Sequence, residues 1–416
     1  MPLLNGENNK LLTTDKIAKA TLATWQINLV LAKSVYRNLE KEFGEIGDTV
    51  SVRLPNNAFV NEGAVATKTT PLNDNTVALK IDKQKNIKFS WTLKDRRLSI
   101  VQFTERYLQP ASNLLANHVD MSIAQAMRDA YFQFGTPGAA LSYEDVTIGQ
   151  AYAAGVAIPT DGLTRLITNT IDRANISNGI SKVYNDALVK DAIQKGYAGE
   201  LAGFETFFSQ NLVMHETGSH TRNEQVAVDL QCGDTLDIKS TQAGAFKRGD
   251  RFTVGGVYEI NPITKQRTGR LQVFTVVSDT PSSGATCTVT ISPAINSGTC
   301  TAQDGMGNSI DTGMDQNVAG YPIVDAPITV IGDPDSIYRE NYIMHRDAIA
   351  LASVLMAPGP DAHPSTAHDP QTGLACTATT FFDGNNYVDN LRLDILFGVK
   401  LVRPDLIFRA TCEKIA

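Results

Sequence analysis

Phe246-Lys-Arg-Gly-Asp-Arg-Phe-Thr-Val254, Leu271-Gln-Val-Phe-Thr-Val-Val277 and Cys287-Thr-Val-Thr-Ile291 are the runs on which the fold turns. They are rich in β-branched and aromatic residues, and Gly255-Gly256, Asn261-Pro262 and Pro281-Ser-Ser-Gly284 punctuate them, so they predict short strands joined by turns. The helical period is absent, and the cassette from Asn223 to Asp333 is predicted to form a small antiparallel β-barrel. Its flanks read differently. Tyr197-Ala-Gly-Glu-Leu-Ala-Gly-Phe-Glu-Thr-Phe-Phe-Ser209 precedes it, and Met344-His-Arg-Asp-Ala-Ile-Ala-Leu-Ala352 and Phe397-Gly-Val-Lys-Leu-Val-Arg-Pro-Asp405 follow it, as parts of one mixed α/β body. The cassette therefore interrupts a body that resumes after it.

Working outward, Ile17, Thr21, Trp25, Leu29, Ala32, Tyr36, Leu39 and Phe43 recur at three- and four-residue spacing and predict one amphipathic helix that ends at Gly44. Alternation in Val50, Val52 and Leu54, then Val77, Leu79 and Ile81, then Ile87, Phe89 and Trp91 predicts three strands. Residues Asn56 to Asn75 between the first two form a connection longer than the roughly 12 to 15 residues usual for a structureless loop, which points to a partner-reaching segment. Ser99 is a helix cap for Val101, Phe103 and Tyr107, and Pro110 marks a kink or restart. Ala111, Leu115, Val119, Ile123, Met127 and Ala130 then share one stripe of a beam some 35 Å long at about 1.5 Å per residue, before Gly135-Thr-Pro-Gly138.

Thr160-Asp161 opens a further predicted helix with Leu163, Leu166, Ile167 and Ile171 inward, followed by a strand at Ser181 to Tyr184 and a helix at Asp186 to Gln194. After the cassette, Cys300 to Tyr321 reads as a loop, Asp335 to Leu355 as helix and Met356 to Thr372 as loop. Leu391 to Leu396 and Ile407 to Cys412 read as a closing strand pair.

The 416 residues suffice for two or three domains. Charged residues are only 19%, below the roughly 25% of soluble proteins, which suits a subunit that hides surface against neighbours. A net charge of -7 opposes gripping nucleic acid by broad phosphate neutralisation but allows DNA to be enclosed. No signal or transit peptide is read at Met1 to Lys10, and no apolar run approaches the roughly 18 residues that span a bilayer. No membrane partner is expected. Cys232, Cys287, Cys300, Cys376 and Cys412 are odd in number with no C-x-x-C pair and are expected to be free thiols; a Cys287 to Cys300 bridge is geometrically feasible but opposed by a reducing cytosol.

Catalytic motifs are missing: there is no phosphate-binding loop, no nucleophile elbow and no H-E-x-x-H helix. The chain is expected not to be an enzyme, with no catalytic, cofactor-binding or metal residues and no cofactor. His363 and His368, flanked by Asp361 and Asp369, form the best metal-like cluster, but its prolines and loop setting fix no ligand geometry, so it reads as a solvated loop. Asp304 to Asp315 lacks the terminal Glu and spacing of a calcium loop. His345, at the start of the helix expected after the cassette, reads as a packed or capping imidazole. Lys80, Lys83, Lys85, Lys88, Lys94, Arg96 and Arg97 interleave with Phe89 and Trp91; alternation sends lysines and aromatics to opposite faces, which favours a solvated or intersubunit salt-bridge surface over a nucleic-acid surface.

Taken together, these segments resemble the tailed-phage major capsid proteins of the Hong Kong ninety-seven fold over nearly the whole chain. Arg106, Pro110-Ala111, Leu115-Ala116 and Asp120 look like their spine helix, and Leu391-Arg-Leu-Asp-Ile-Leu-Phe-Gly-Val-Lys-Leu-Val-Arg-Pro404 is similar to their C-terminal strand motif. The cassette resembles the inserted barrel of the podovirus-type coat proteins, although Asn223 to Ala245 is shorter than the loop with which that barrel bridges capsomers. The resemblance implies an α+β fold with an N-arm at 1–47, an extended loop at 48–98 and a peripheral domain with spine helix at 99–135. An axial domain follows in two parts, 136–222 and 334–398, around the inserted β-barrel at 223–333, and a C-terminal strand at 399–416 returns to the peripheral domain. It also implies a major capsid protein that self-assembles into pentamers and hexamers of an icosahedral head enclosing double-stranded DNA. Scaffolding protein, a portal at one vertex and optionally a decoration protein are the implied partners, with assembly in the host cytoplasm and final residence in the virion. An encapsulin-type compartment shell is the alternative, disfavoured by the cassette. Isopeptide cross-linking through a loop lysine such as Lys68 lacks a matched partner.

Overall fold

The computed structural model describes residues 17–23, 29–37, 49–55, 58, 60–61, 63–65, 69–70, 76–92, 104–180, 200–239, 246–280, 286–298, 300, 302–303, 309–310, 315–356, 363–369 and 373–415. Its architecture is mixed α+β, with strands predominating. Contacts divide the chain into two units, one from residues 1–52, 77–124 and 349–400, the other from 53–76, 125–348 and 401–416.

The first unit is built on a five-stranded sheet in the order Ile349–Val354, Val388–Leu401, Leu374–Asp383, His363–Asp369, with Lys83–Thr92 along the other side of Val388–Leu401. Leu391, Leu393, Ile395 and Phe397 alternate into its core opposite Leu374, Cys376 and Ala378, as a period of two requires. Thr49–Arg53 pairs with Thr76–Lys80 as a separate ribbon whose Val50, Val52 and Leu79 are buried. Ile87, Phe89 and Trp91 are half-buried and Lys88 is exposed on the opposite face, but Lys85 is also exposed and shares the face of Ile87, Phe89 and Trp91, so lysines and aromatics are not fully separated as the sequence led one to expect. Gly398 lets two backbone segments approach closely: a Cβ there would lie 2.3 Å from the Lys80 carbonyl oxygen.

The helix Gln109–Met127 buries Ala111, Leu115, Val119, Ile123 and Met127. A π-helical turn, Thr104–Leu108, precedes it, and Pro110, which has no N–H to return to that turn, marks the change of winding. Buried Asp120 accepts the backbone N–H groups of Val30 (3.0 Å), Leu31 (3.3 Å) and Ala32 (3.1 Å), so its carboxylate fixes the N-terminal segment where the 3₁₀ turn Leu31–Ser34 begins. Tyr36 then bonds to the edge of the sheet through Ile349 and Leu351.

In the second unit a mixed seven-stranded sheet runs Phe132–Gln133, Ile407–Ile415, Ile337–His345, Thr164–Thr168, Phe204–Phe208, Glu200–Leu201, with His215–Glu216 against one end of Ile337–His345. Helix Tyr143–Gly155 starts with a capping box, in which Ser142 Oγ accepts from Asp145 N at 3.1 Å and Asp145 accepts from Ser142 N at 3.0 Å. Gly149 lets this helix press on the sheet, because a Cβ there would come within 2.7 Å of Ile343. Helix Thr170–Ile180 follows the strand Thr164–Thr168.

A second seven-stranded sheet, entirely antiparallel in its recorded pairings, holds the cassette: Val318–Ala319, Arg251–Ile260, Arg267–Val276, Cys287–Ile295, Gly233–Lys239, Gln225–Val226, with Ile328–Val330 also on Arg251–Ile260. Its own core contains Leu236, Ile238, Phe246, Phe252, Val254, Phe274, Val276, Val289 and Ile291. Backbone bonds from Val226 N to Ala326 O (3.1 Å) and Ile328 N to Glu224 O (2.9 Å) join Gln225–Val226, at one end of the sheet, to the start of Ile328–Val330, which pairs with Arg251–Ile260.

Several sequence expectations are corrected. Asp335 to Leu355 is not helical but contains strands Ile337–His345 and Ile349–Val354 around a 3₁₀ turn, Arg346–Ala348. Burial on both faces removes the alternation that marks a strand, and a continuous apolar run cannot by itself be told from a buried helix. The same ambiguity misplaced Thr160 to Ile171, where Thr164–Thr168 is a strand and the helix begins only at Thr170. Met356 to Thr372 contains a strand, His363–Asp369, because backbone pairing with Leu374–Asp383 outweighs its poor propensity. The N-terminal pattern is not one helix: residues 17–23 are helical, but Leu31–Ser34 is 3₁₀ and Tyr36 bridges to Ala350. The beam is 19 residues, about 28 Å, because Phe132–Gln133 leaves it for the sheet. Val388–Leu401 and Ile407–Ile415 belong to different sheets and do not pair. Cys232 and Cys300 form a disulfide, with Cα atoms 6.1 Å apart, whereas Cys287, Cys376 and Cys412 are free and buried. Tyr143–Gly155 was missed although Ser142-Tyr-Glu-Asp145 carries its cap signature. The strand and helix expected across 181–194, the Ser99 cap, Lys68 and most of Asp304 to Asp315 lie outside the described residues.

Candidate functional site

Where the cassette sheet joins the α/β sheet of the second unit, charged residues are buried within the strands. Asp250-Arg251 opens Arg251–Ile260, Glu340-Asn341-Tyr342 lies mid-strand in Ile337–His345, and Arg409 lies in Ile407–Ile415. All six of these residues are buried, and Arg251 and Arg409 are among the largest fully buried side chains of the described residues. Backbone pairing places them: Glu340 is opposite Thr411, and Tyr342 is opposite Arg409.

Arg251 reaches from the cassette into the body. Its Nη1 donates to the carbonyls of Arg409 (2.8 Å) and Phe132 (3.2 Å), and its Nη2 to the hydroxyl of Thr411. Arg409 reaches back, pairing with Glu340 through Nε (2.5 Å) and Nη2 and donating from Nη1 to the carbonyls of Arg128 and Gly249, both at 2.7 Å. Tyr342 donates its hydroxyl to Glu340 at 2.7 Å. Asp250 gathers three donors: His215 Nε2 at 2.8 Å, Gly218 N at 3.0 Å and Lys247 N at 2.7 Å. At the rim, Arg248 makes a two-pronged pair with Asp129 (3.0 and 2.7 Å) and Lys247 pairs with Glu216 at 2.7 Å.

Burial sets the electrostatics. It pushes Arg251 down to about 9, and the neighbouring Arg409 charge adds to that fall. Burial also works against the charge on Arg409, but Glu340 overcomes it and holds Arg409 above its ordinary value. Burial would raise Glu340, yet Arg409, His215 and Arg251 together keep it low, in the ionised form. Tyr342 is raised, first by burial and then by the Glu340 charge. Two guanidinium groups and two carboxylates thus offset one another away from water, which is the condition under which buried charge is tolerated.

This arrangement clamps elements; it has no aligned nucleophile and base. Among the described residues no group of three His, Cys, Asp or Glu side chains has the geometry to hold a metal ion. His345 ends a strand instead of opening a helix; it is buried, with Nε2 3.2 Å from Asp161 and Nδ1 accepting from Asp347 N at 3.2 Å, a packed imidazole. His363, His368 and Asp369 fall on one strand, and Asp361 lies outside the described residues. The clamp itself was not found in the sequence. Its signal was a charge set inside an apolar strand run, as in Asp250-Arg251-Phe252 and Phe408-Arg409-Ala410.

A protein-family model described as "P22 coat protein - gene protein 5" matches residues 7–408. No curated protein matches the chain. Among solved structures, a chain from Mycobacterium phage Che8 is similar at 14% identity over 92% of this chain and 90% of that one, with a TM-score of 0.47. The capsid of Ralstonia phage GP4 is similar at 9% identity over 91% and 87%, with a TM-score of 0.45. The CUS-3 coat protein I-domain is 28% identical over 27% of this chain and 98% of that one, with a TM-score of 0.20.

Proposed function

The chain belongs to the P22 coat protein family, as the major capsid protein of a phage head, and from that premise we propose how its parts serve the shell. Copies assemble as pentamers and hexamers of an icosahedral head around double-stranded DNA, in the host cytoplasm, with scaffolding protein, a portal and optionally a decoration protein as partners. Closed symmetry leaves no interface unpaired. Residues 1–47 act as the N-arm, 48–98 as the extended loop, 99–135 as the peripheral domain, 136–222 and 334–398 as the axial domain, and 399–416 as the returning strand.

Residues 223–333 form the inserted β-barrel of the podovirus-type subgroup. The observation that carries this reading is the hydrogen bonding of the cassette's first strand to the residues beside its last, Val226 to Ala326 and Glu224 to Ile328, on a sheet with its own apolar core. A sheet whose end strands bond to each other has the closure of a barrel. The Arg251–Arg409–Glu340 clamp then fixes the barrel's base to the body, so that the insert moves with the subunit. DNA is enclosed without sequence-specific contact, in keeping with the net charge of -7.

The test is assembly. Expressed protein, with scaffolding protein supplied, should form capsomers or closed particles of megadalton size by light scattering and negative-stain microscopy. A stable monomer under every condition overturns the reading.

A further inference from the structure

Two runs form the neck of the cassette: residues 215–224 enter it and residues 331–336 leave it. Thr217 N donates to Ser336 O at 3.0 Å, Asp335 N donates to Gly218 O at 3.1 Å, and the Thr217 hydroxyl donates to the Asp333 carbonyl. Asp250 ties the entering run to the cassette by accepting from His215 and from Gly218 N at 2.8 and 3.0 Å.

Polar atoms in this neck are buried without a hydrogen-bond partner among the described residues: both ring nitrogens of His220, Nδ1 of His215 and Oε2 of Glu224. The three residues are 2%, 2% and 1% exposed. Glu224 accepts the N–H and hydroxyl of Thr221, the residue next to His220, at 2.6 and 3.0 Å. A neutral imidazole can be buried in this way at moderate cost, whereas a protonated one would carry an additional N–H and a full charge into the same space.

We propose that His220 and His215 make the neck an acid-sensitive hinge, in which proton uptake opens the pairing of residues 215–224 with 331–336 and releases the short strand His215–Glu216, while the other strands of both flanking sheets stay folded. The groups facing the two rings set its sense. Burial is the largest influence on each and holds both below their ordinary value of 6.5. Around His215, Arg409 also opposes a proton, while Asp250 and Glu340 favour one. Around His220, Arg222 opposes, while Glu224, Asp250 and Asp333 favour. Opening returns the rings to water and to the ordinary value. Above pH 6.5 both states are neutral and the histidines contribute nothing to opening; as pH falls below 6.5 the open neck takes up protons that the closed neck refuses, and the closed form loses stability. Each histidine raises the opening constant about tenfold per pH unit inside that window.

The proposal deepens the inserted-domain reading and rests on it, but its test is separate, because it is made on the neck in the full chain. Hydrogen exchange of the whole subunit, followed by mass spectrometry from pH 7.5 to 5.0 and corrected for the intrinsic pH dependence of exchange, reads the opening directly. Peptides covering 215–224 and 331–336 should open at least about tenfold more often at pH 5.5 than at 6.5, while peptides from 252–276 and 339–345 stay protected. His220→Leu, which keeps an apolar body and cannot titrate, should reduce the slope by about tenfold per pH unit. Should that variant fail to fold, a nuclear magnetic resonance titration of the wild-type histidine rings decides, with midpoints below 6.5 expected for both. Neck exchange that does not depend on pH, midpoints at or above 6.5, or loss of protection throughout the cassette together with the neck overturns the hinge.

Discussion

Glu340 is the residue on which the junction's charge balance turns, because it is buried against Arg409 and keeps that guanidinium ionised. Glu340→Gln removes one partner of a buried pair and leaves the other uncompensated, so it should destabilise the subunit by about 3–5 kcal/mol in urea at pH 7. Asp120 carries a different prediction. Burial outweighs the three N–H groups it accepts and raises it from 3.8 to about 6. A carboxyl raised in the folded state stabilises most below its unfolded value, and that contribution is lost as pH rises through about 6. Between wild type and Asp120→Asn, the difference in stability should therefore change by up to roughly 3 kcal/mol from pH 4 to 7. A constant difference across that range would show that Asp120 does not titrate there. Neither residue was recognisable from its neighbours in sequence as a clamp or a cap, since both acquire their environment from segments far away in the chain.

At the scale of elements, the cassette carries an apolar core drawn from its own strands, and its entry and exit lie side by side, the circumstances in which an insertion folds by itself. Residues 223–333 expressed alone should give a dispersed amide spectrum and a cooperative thermal transition. A collapsed spectrum would mean that the strands require the flanking sheet. Phe274→Ala, which empties a fully buried site facing Phe252, should cost about 3–5 kcal/mol in the full chain. Cassette strands were legible because β-branched runs alternate with glycine and proline turns at short intervals. Ile337–His345 and Thr164–Thr168 were not, because central strands covered on both faces lose the alternation that distinguishes them from buried helix.

At the scale of the whole molecule, the long connection at residues 56–75, in which Val60 and Val65 are exposed, is expected to reach a neighbouring subunit. Its deletion should leave the circular dichroism of a folded subunit and abolish closed shells by electron microscopy; normal shells would show that the connection is dispensable. The sequence by itself determined that a β-rich cassette interrupts a mixed body, where the ribbon of Thr49–Arg53 and Thr76–Lys80 lies, which face of Gln109–Met127 is buried, and the family to which the chain is similar. Those are local matters: periodicity, turn chemistry and the order of segments are written in neighbouring residues. Only the tertiary structure decided that Val388–Leu401 and Ile407–Ile415 part company into different sheets, that Cys232 finds Cys300, and that Arg251, Arg409, Glu340, Asp250 and His215 meet. Each of these depends on partners brought together over long stretches of chain, where the free energy of burying a charge or pairing a strand edge is set by what arrives opposite it and not by the residues on either side.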